Sequence, residues 1–342
     1  QVLRMRENLR VSPQNPAVII AHRDELLQQP YERLISIDDM LPIGIERAAR
    51  RAAPGSEVII ASVQSIGRKN GRLADITPGL IIVDEAHHAA ARSYHNALEK
   101  LGAFGPDGPL LIGVTATPHR ADKQAIVGHE QSVFQEIVYR YGVEDAIDDG
   151  WLCAIRGYRV RTASSLDGVT RVAGDFNQQE LASVLDDNAR THIASERGRD
   201  IAAGRSTIVF CASVAHAEHT AEQWAAETGA PAYMVSGETP SEERRARLLA
   251  FRNTPGAVLC NVDIASEGFD HPPTRCVVML RPTQSWVRYM QSVGRGLRIW
   301  PDKADCIVLD VVDNCKRHKL VNVASILDLP PAIDLEGRTL KE

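Results

Sequence analysis

The run Leu80-Ile81-Ile82-Val83-Asp84-Glu85-Ala86-His87-His88 decides how this chain is read. Four apolar residues pass straight into two adjacent carboxylates and a histidine. An apolar run without alternation is the pattern of a strand buried on both faces, as in a parallel sheet. Ligands of open α/β sheets sit beyond the carboxyl ends of the strands, which would place Asp84 and Glu85 at a site mouth. Adjacent carboxylates there suit a hard cation such as Mg²⁺, completed by phosphate oxygens and water. The second carboxylate could then orient or deprotonate an attacking water. A bare Asp-Glu pair is more often a solvated acidic turn. The buried strand before it and a second signal further along the chain favour the site.

At 342 residues the chain is long enough for two domains of ordinary size. Its 44% hydrophobic and 24% charged residues are those of a soluble globular protein. No apolar run reaches the ~18 residues of a membrane span, so the expectation is a cytoplasmic protein with no membrane contact. The six cysteines (153, 211, 260, 276, 306 and 315) form no C-x-x-C pair and fit buried, reduced thiols. The net charge of −5 means that any nucleic-acid contact must come from local basic patches. The histidine pairs His87-His88 and His216/His219 lack a third ligand at convincing spacing, which argues against a histidine metal site.

Strands are expected at 17–21, 57–62, 80–83 and 110–115, then at 207–211, 232–235, 257–262, 276–280 and 306–309. Helices are expected at 1–9, after His22-Arg23-Asp24-Glu25, at 214–227, at 241–252 with Ser241 as cap, and at 285–297. This alternation implies βαβ units and mostly parallel sheets. It lapses between 138 and 152, where Gly150 marks a hinge. The expected domains are therefore 1–150 and 151–328, with 329–342 a linker or extension. Residues 162–174 show no regular pattern.

Several strand ends carry candidate chemistry. Thr115-Ala116-Thr117-Pro118 follows a strand, and its two hydroxyls could bond the carboxylate site and transmit its state. On a helix, Gln291, Arg295 and Arg298 are spaced i, i+4 and i+7 and share one face. Guanidinium forks match phosphate oxygens, so that stripe suits a phosphate, although such runs are usually solvated basic faces. Gly294 and Gly296 flank Arg295 at a cost of roughly 1 kcal/mol each, a poor choice for a helix unless a ligand approaches closely. In Glu267-Gly268-Phe269-Asp270, Gly268 permits close backbone approach and Asp270 could meet a ribose or an arginine. Arg23, Ser62 and Gln64 sit where strand ends could contact a nucleic-acid backbone. Each alone is an ordinary polar strand end.

Taken together and in this order, the stretches resemble the motifs of the superfamily 2 helicases and translocases. Asp84-Glu85-Ala86-His87 looks like the DEAH form of Walker B. Ile19-Ile20-Ala21-His22-Arg23-Asp24-Glu25 is similar to motif Ia, Ala61-Ser62-Val63-Gln64-Ser65 to Ib, and Thr115-Ala116-Thr117-Pro118 to III. Ile208-Val209-Phe210-Cys211 looks like motif IV, Glu267-Gly268-Phe269-Asp270 like V, and Gln291-Ser292-Val293-Gly294-Arg295-Gly296-Leu297-Arg298 like VI. The likeness covers about residues 17–312. Its wording is nearer the DNA-repair and restriction-type helicases (the XPB and RadD neighbourhood) than the RNA DEAD-box group, so DNA is the expected partner over RNA.

The resemblance implies two RecA-like domains, each a mostly parallel sheet flanked by helices, with ATP and Mg²⁺ bound between them. Asp84 would hold Mg²⁺ through water and Glu85 would position the hydrolytic water. Gln291, Arg295 and Arg298 would face the γ-phosphate, and His87, Gly268 and Asp270 would line the nucleotide. Thr115 and Thr117 would couple, while Arg23, Ser62 and Gln64 would touch the nucleic acid. Domain closure on ATP would step the protein along a strand. One departure stands out, because no G-x-x-x-x-G-K-[ST] occurs anywhere in the sequence. The chain is therefore expected to be an amino-terminally truncated fragment, nearly inactive by itself. The alternative is a module that binds nucleic acid or a partner without hydrolysis. A Rossmann enzyme is disfavoured, since no G-x-G-x-x-G follows a strand.

Overall fold

The structure is a computed structural model. It describes residues 11–339 apart from 22–24, 68–72, 74, 116–126, 129–131, 161–165, 173–174, 186–187, 265–268, 312–319, 328 and 331–332, and apart from the side chains of 25–26 and 188–191. The chain divides into two compact units, Gln1–Tyr139 and Arg140–Glu342. The helix expected at 1–9 and the segment His22-Arg23-Asp24 lie outside the described residues.

The first unit runs β1 (Ala17–Ala21), α1 (Glu25–Ile37), β2 (Ile43–Glu46), β3 (Val58–Ser62), α2 (Val63–Gly67) and β4 (Leu80–Asp84), then a 3₁₀ turn (Ala86–His88), α3 (Arg92–Lys100) and β5 (Leu110–Val114). Its strands pair in parallel in the order β2-β3-β1-β4-β5. Val18, Ile20, Ile59, Ile81 and Val83 pack on one face with Tyr94, Ala97 and Leu98 of α3. Ile19, Ile60 and Leu80 pack on the other with Leu27 and Leu34 of α1. Burial on both faces is the physical reason these strands read as unbroken apolar runs. The sequence reading missed β2, whose Ile43-Gly44-Ile45-Glu46 is too short and mixed to announce itself.

The second unit runs α4 (Val143–Asp148), β6 (Ala154–Val160), β7 (Arg171–Val172), β8 (Asp175–Phe176), α5 (Gln178–Leu185), α6 (Asn188–Ala202), β9 (Thr207–Phe210) and α7 (Val214–Thr228). It continues through β10 (Ala232–Val235), α8 (Ser241–Asn253), β11 (Val258–Asn261), β12 (Cys276–Met279), α9 (Trp286–Leu297), β13 (Asp305–Val311) and α10 (Val323–Ile326). Six parallel strands pair in the order β10-β11-β9-β12-β13-β6, while β7 and β8 form a separate antiparallel hairpin. Each unit is thus an α/β layer with a parallel sheet.

Three expectations change here. The division falls before α4 rather than at Gly150, because Val143 and Ile147 of α4 pack on the second unit's core. β6 was not anticipated: it is an edge strand whose Arg156 and Arg159 interrupt the apolar pattern. Ser241 is the first residue of α8 rather than its cap, a position held by Pro240 without a side-chain bond. Cys153, Cys211, Cys260, Cys276 and Cys306 are buried free thiols.

Candidate functional site

In the first unit, β4 lies between β1 and β5 and delivers Asp84 beside Val114 at the carboxyl ends of the strands. Asp84 Oδ1 accepts the Glu85 backbone N–H at 2.9 Å, which folds the carboxylate back over the turn. Glu85 then adopts φ 49° and ψ 52°, the left-handed region. A non-glycine residue there costs roughly 1–2 kcal/mol, a strain that such sites store only when the surroundings over-determine it. The surroundings here are visible. Gly113 on β5 has no side chain because a Cβ would stand 2.8 Å from the Ala86 methyl and 2.5 Å from the Phe134 ring. The turn therefore seats directly on the neighbouring strand.

His87, only 6% exposed, joins the strand ends. Its Nδ1 lies 3.0 Å from Thr115 Oγ1 and 3.2 Å from Glu85 Oε2. In the bond to Thr115 either the ring nitrogen or the hydroxyl can donate, according to the imidazole tautomer. The structure thus brings together Asp84, Glu85, His87 and Thr115; Thr117 and Arg23 lie outside the described residues. Ser62 is buried, and its hydroxyl donates to Ser65 Oγ at 2.8 Å and accepts from Ser65 N at 3.3 Å, capping α2. That is an internal duty, so a direct backbone contact by Ser62 is not what this geometry offers. Gln64, on the first turn of α2, is exposed.

In the second unit, α9 begins at the cap Ser285, whose Oγ accepts from Arg288 N at 3.3 Å. It buries Tyr289, Val293, Gly296 and Leu297 and keeps Gln291, Gly294 and Arg295 half-buried. The helix ends at Leu297. Arg298 is extended (φ −62°, ψ 138°) and bridges to Leu152, so it leaves the helical stripe expected for it. Gly296 is corrected as well: a Cβ there would meet Cys306 Sγ at 2.5 Å and Val277 Cγ2 at 2.6 Å. The close approach it serves is helix to sheet, not helix to ligand.

Both arginines settle on one loop. Arg295 donates to the Phe269 carbonyl at 3.0 Å, and Arg298 pairs with the Asp270 carboxylate. Gly268 lies outside the described residues. Three further residues shape this loop and escaped the sequence reading. Arg252 donates to the Asp270 carbonyl at 3.1 Å and lies 5.2 Å over the Phe269 ring. His271 is buried against Phe251, with ring centroids 4.8 Å apart, and its Nδ1 contacts Thr274 Oγ1 at 3.0 Å. Burial, and the Arg252 charge beside it, push the His271 imidazole down to about 4, so it is neutral at pH 7. Lys303, 8% exposed, donates to the carbonyls of Gly296, Arg298 and Pro272. Burial holds its ammonium below the ordinary lysine range. Nothing in Trp300-Pro301-Asp302-Lys303 marks that lysine in the sequence.

Two family models match the chain: Type III restriction enzyme, res subunit, over residues 3–120, and Helicase conserved C-terminal domain over residues 169–299. The chain belongs to the superfamily 2 helicases, in their restriction-type neighbourhood. It is 31% identical over 304 residues to an ATP-dependent helicase of Saccharomyces cerevisiae, IRC3, covering 86% of this chain and 43% of that relative. This helicase chain thus spans less than half of that relative's length. Its fold is similar to a fragment of an HsdR subunit of a type I restriction enzyme from Vibrio vulnificus YJ016. The TM-score is 0.65 at 21% identity, over 95% of this chain and 59% of that one. It is also similar to the ATP-dependent Type ISP restriction-modification enzyme LlaBIII bound to DNA, with TM-score 0.60 at 17% identity, over 92% and 26%. Both units carry the parallel, helix-flanked sheet of RecA-like helicase structures. Among the described residues no helix is long and apolar enough to cross a membrane.

Proposed function

We propose that the protein to which this chain belongs is an ATP-dependent DNA translocase or helicase, with Asp84 and Glu85 as its hydrolytic carboxylates. The observation that carries this reading is the Asp84–Glu85–His87–Thr115 cluster, held across the ends of two parallel strands by a strained turn. Two carboxylates without a third protein ligand suit Mg²⁺, an ion that keeps waters and takes the rest of its shell from phosphates. Bound there, Mg²⁺ would neutralise charge on the phosphate oxygens. Glu85 is the group that would orient the attacking water, with His87 Nδ1 3.2 Å from its carboxylate and 3.0 Å from Thr115 Oγ1. Gln291, Arg295 and Arg298 would answer charge on the γ-phosphoryl group, since a phosphate presents to Arg298 the same acceptor oxygens as Asp270 does now. DNA is the nucleic acid expected here, by analogy with the relatives named as restriction-enzyme subunits. Arg23 and Gln64 would meet its backbone.

The β- and γ-phosphates would be cradled by a Gly-rich loop upstream of these residues. Among the described residues β5 forms the edge of its sheet, with Leu110 47% and Val114 50% exposed. An edge that apolar is normally covered by another strand.

The test is ATP turnover, with and without single-stranded DNA, by this chain beside one extended upstream and a Glu85→Gln form of the extended chain. DNA-stimulated turnover only in the extended chain, lost with Glu85→Gln, is the expected result. Turnover by the 342-residue chain alone would overturn the account of its phosphate site. Silence from both chains would favour a binding module without hydrolysis.

A further inference from the structure

The loop from Phe269 to Pro272 is the seat of Arg295 and Arg298, and a single side chain ties that seat to the helix end from which both arginines project. Lys303 arrives on a tight turn closed by its own N–H on the Trp300 carbonyl, with Asp302 in the left-handed region at φ 61°. Its ammonium has three N–H donors and meets three carbonyls, at 2.7 Å (Gly296), 2.8 Å (Arg298) and 2.9 Å (Pro272). Two of these close the end of α9, where helical carbonyls have no partner of their own and a cation is favoured. The third belongs to the loop that receives both arginines. An ammonium buried to this degree holds its place only while all its donors are used. Lys303 therefore fixes the spacing between the backbone that carries the arginines and the backbone on which they rest.

We propose that Lys303 is a positioning residue for Arg295 and Arg298, acting through the backbone of α9 and the Phe269–Pro272 loop without touching substrate. This rests on the reading of those arginines as phosphate-facing groups. Displacing a transition-state cation by an ångström costs roughly a hundredfold in rate, whereas ground-state binding is less sensitive.

The experiment is a double-mutant cycle in the chain extended upstream, with kcat and KM for ATP measured on saturating single-stranded DNA. Lys303→Met keeps the aliphatic stem and removes the donors. A fall in kcat of roughly ten- to a hundredfold with KM within about twofold is expected. The Lys303→Met, Arg298→Ala double variant should then be slower than Arg298→Ala by clearly less than the Lys303→Met factor, because only Arg295 is left for the clamp to position. A merely structural lysine would lower the melting temperature and leave kcat near wild type, and a lysine acting independently of the arginines would slow the double variant by the full product of the single effects; either pattern overturns the proposal. If the methionine variant does not fold, Lys303→Gln, which keeps two N–H donors, replaces it with an intermediate loss expected. Unchanged kcat in Arg298→Ala itself would overturn the arginine reading and the clamp together, a different failure from that of Lys303 alone.

Discussion

The two halves of the candidate machinery are built in opposite ways. In the first unit the chemistry comes from residues adjacent in sequence, Asp84, Glu85 and His87, joined by Thr115 from the neighbouring strand. In the second unit the side chains with chemistry sit on one helix end, but what orients them comes from distant stretches: Arg252, the loop 269–272 and Lys303. A strand end needs little help to aim a carboxylate, because the sheet already fixes its direction. A long, flexible arginine has no such support and must be held by tertiary contacts.

The sharpest way to test this contrast is on turnover in the chain extended upstream. Glu85→Gln should cost roughly 10²–10⁴-fold in kcat, and Arg298→Ala roughly 10³-fold or more. The two should differ in what rescues them. Restoring the neighbours of Glu85 changes nothing, whereas the Arg298 effect should be partly reproduced by Asp270→Asn, which loosens its seat. Equal wild-type rates for Arg298→Ala would dissolve the comparison.

The next effect is on stability and sits in the second unit alone. Gly296→Ala drives a methyl into Cys306 and Val277 and should cost about 1–3 kcal/mol in a urea melt. Gly294→Ala, where a Cβ has no neighbour within 4 Å, should stabilise by up to about 1 kcal/mol. Like signs for the two glycines would mean that α9 does not lie against β12 and β13 as described.

Two buried groups of the second unit should oppose one another with pH. His271 titrates at about 4 in the folded chain against an ordinary 6.5, so the unfolded chain takes the proton first. Its contribution is complete above 6.5 and is lost as the pH falls towards 4, by about 1.4 kcal/mol per unit. Burial pushes the Asp310 carboxyl up from 3.8 to about 6, although Val323 N–H and the Tyr289 hydroxyl bond its oxygens. Here the folded chain holds the proton more tightly, so stability is complete below 3.8 and is lost as the pH rises through 6. Between about 4 and 6 the slopes largely cancel. Melting temperature against pH should therefore fall towards acid more steeply in Asp310→Asn than in wild type, and less steeply in His271→Gln.

The smallest effect belongs to the first unit. Thr115→Val removes the hydroxyl beside His87 Nδ1 and should cost about 0.5–1.5 kcal/mol of stability. The telling measurement is the ratio of DNA-stimulated to basal turnover, which should fall while basal turnover remains. An unchanged ratio would confine Thr115 to packing.

Much of this fold was legible because parallel strands buried on both faces read as plain apolar runs. β1 and β10 fall where the runs predict them, and the other expected strands shift by no more than two residues at either end. β2 and β6 were illegible for the same reason in reverse: one is too short, and the other alternates arginines with its buried positions. Within the candidate site, the carboxylates and arginines were legible as residue types in order. Their partners were not, because a histidine in a proline-rich loop and a lysine in a surface-like turn carry no local sign of burial.

By itself, the sequence determined two parallel α/β units, the ordered motifs and the candidate carboxylates and arginines as residue types, since these follow from local periodicity and from the ends of apolar runs. Only the tertiary structure decided which side chains those residues meet. It turned Ser62 inward, placed Gly296 against the sheet, took Arg298 off the helix and buried Lys303 among three carbonyls. Each of those outcomes depends on which distant backbone groups folding brings within hydrogen-bond reach, and no local pattern encodes that distance.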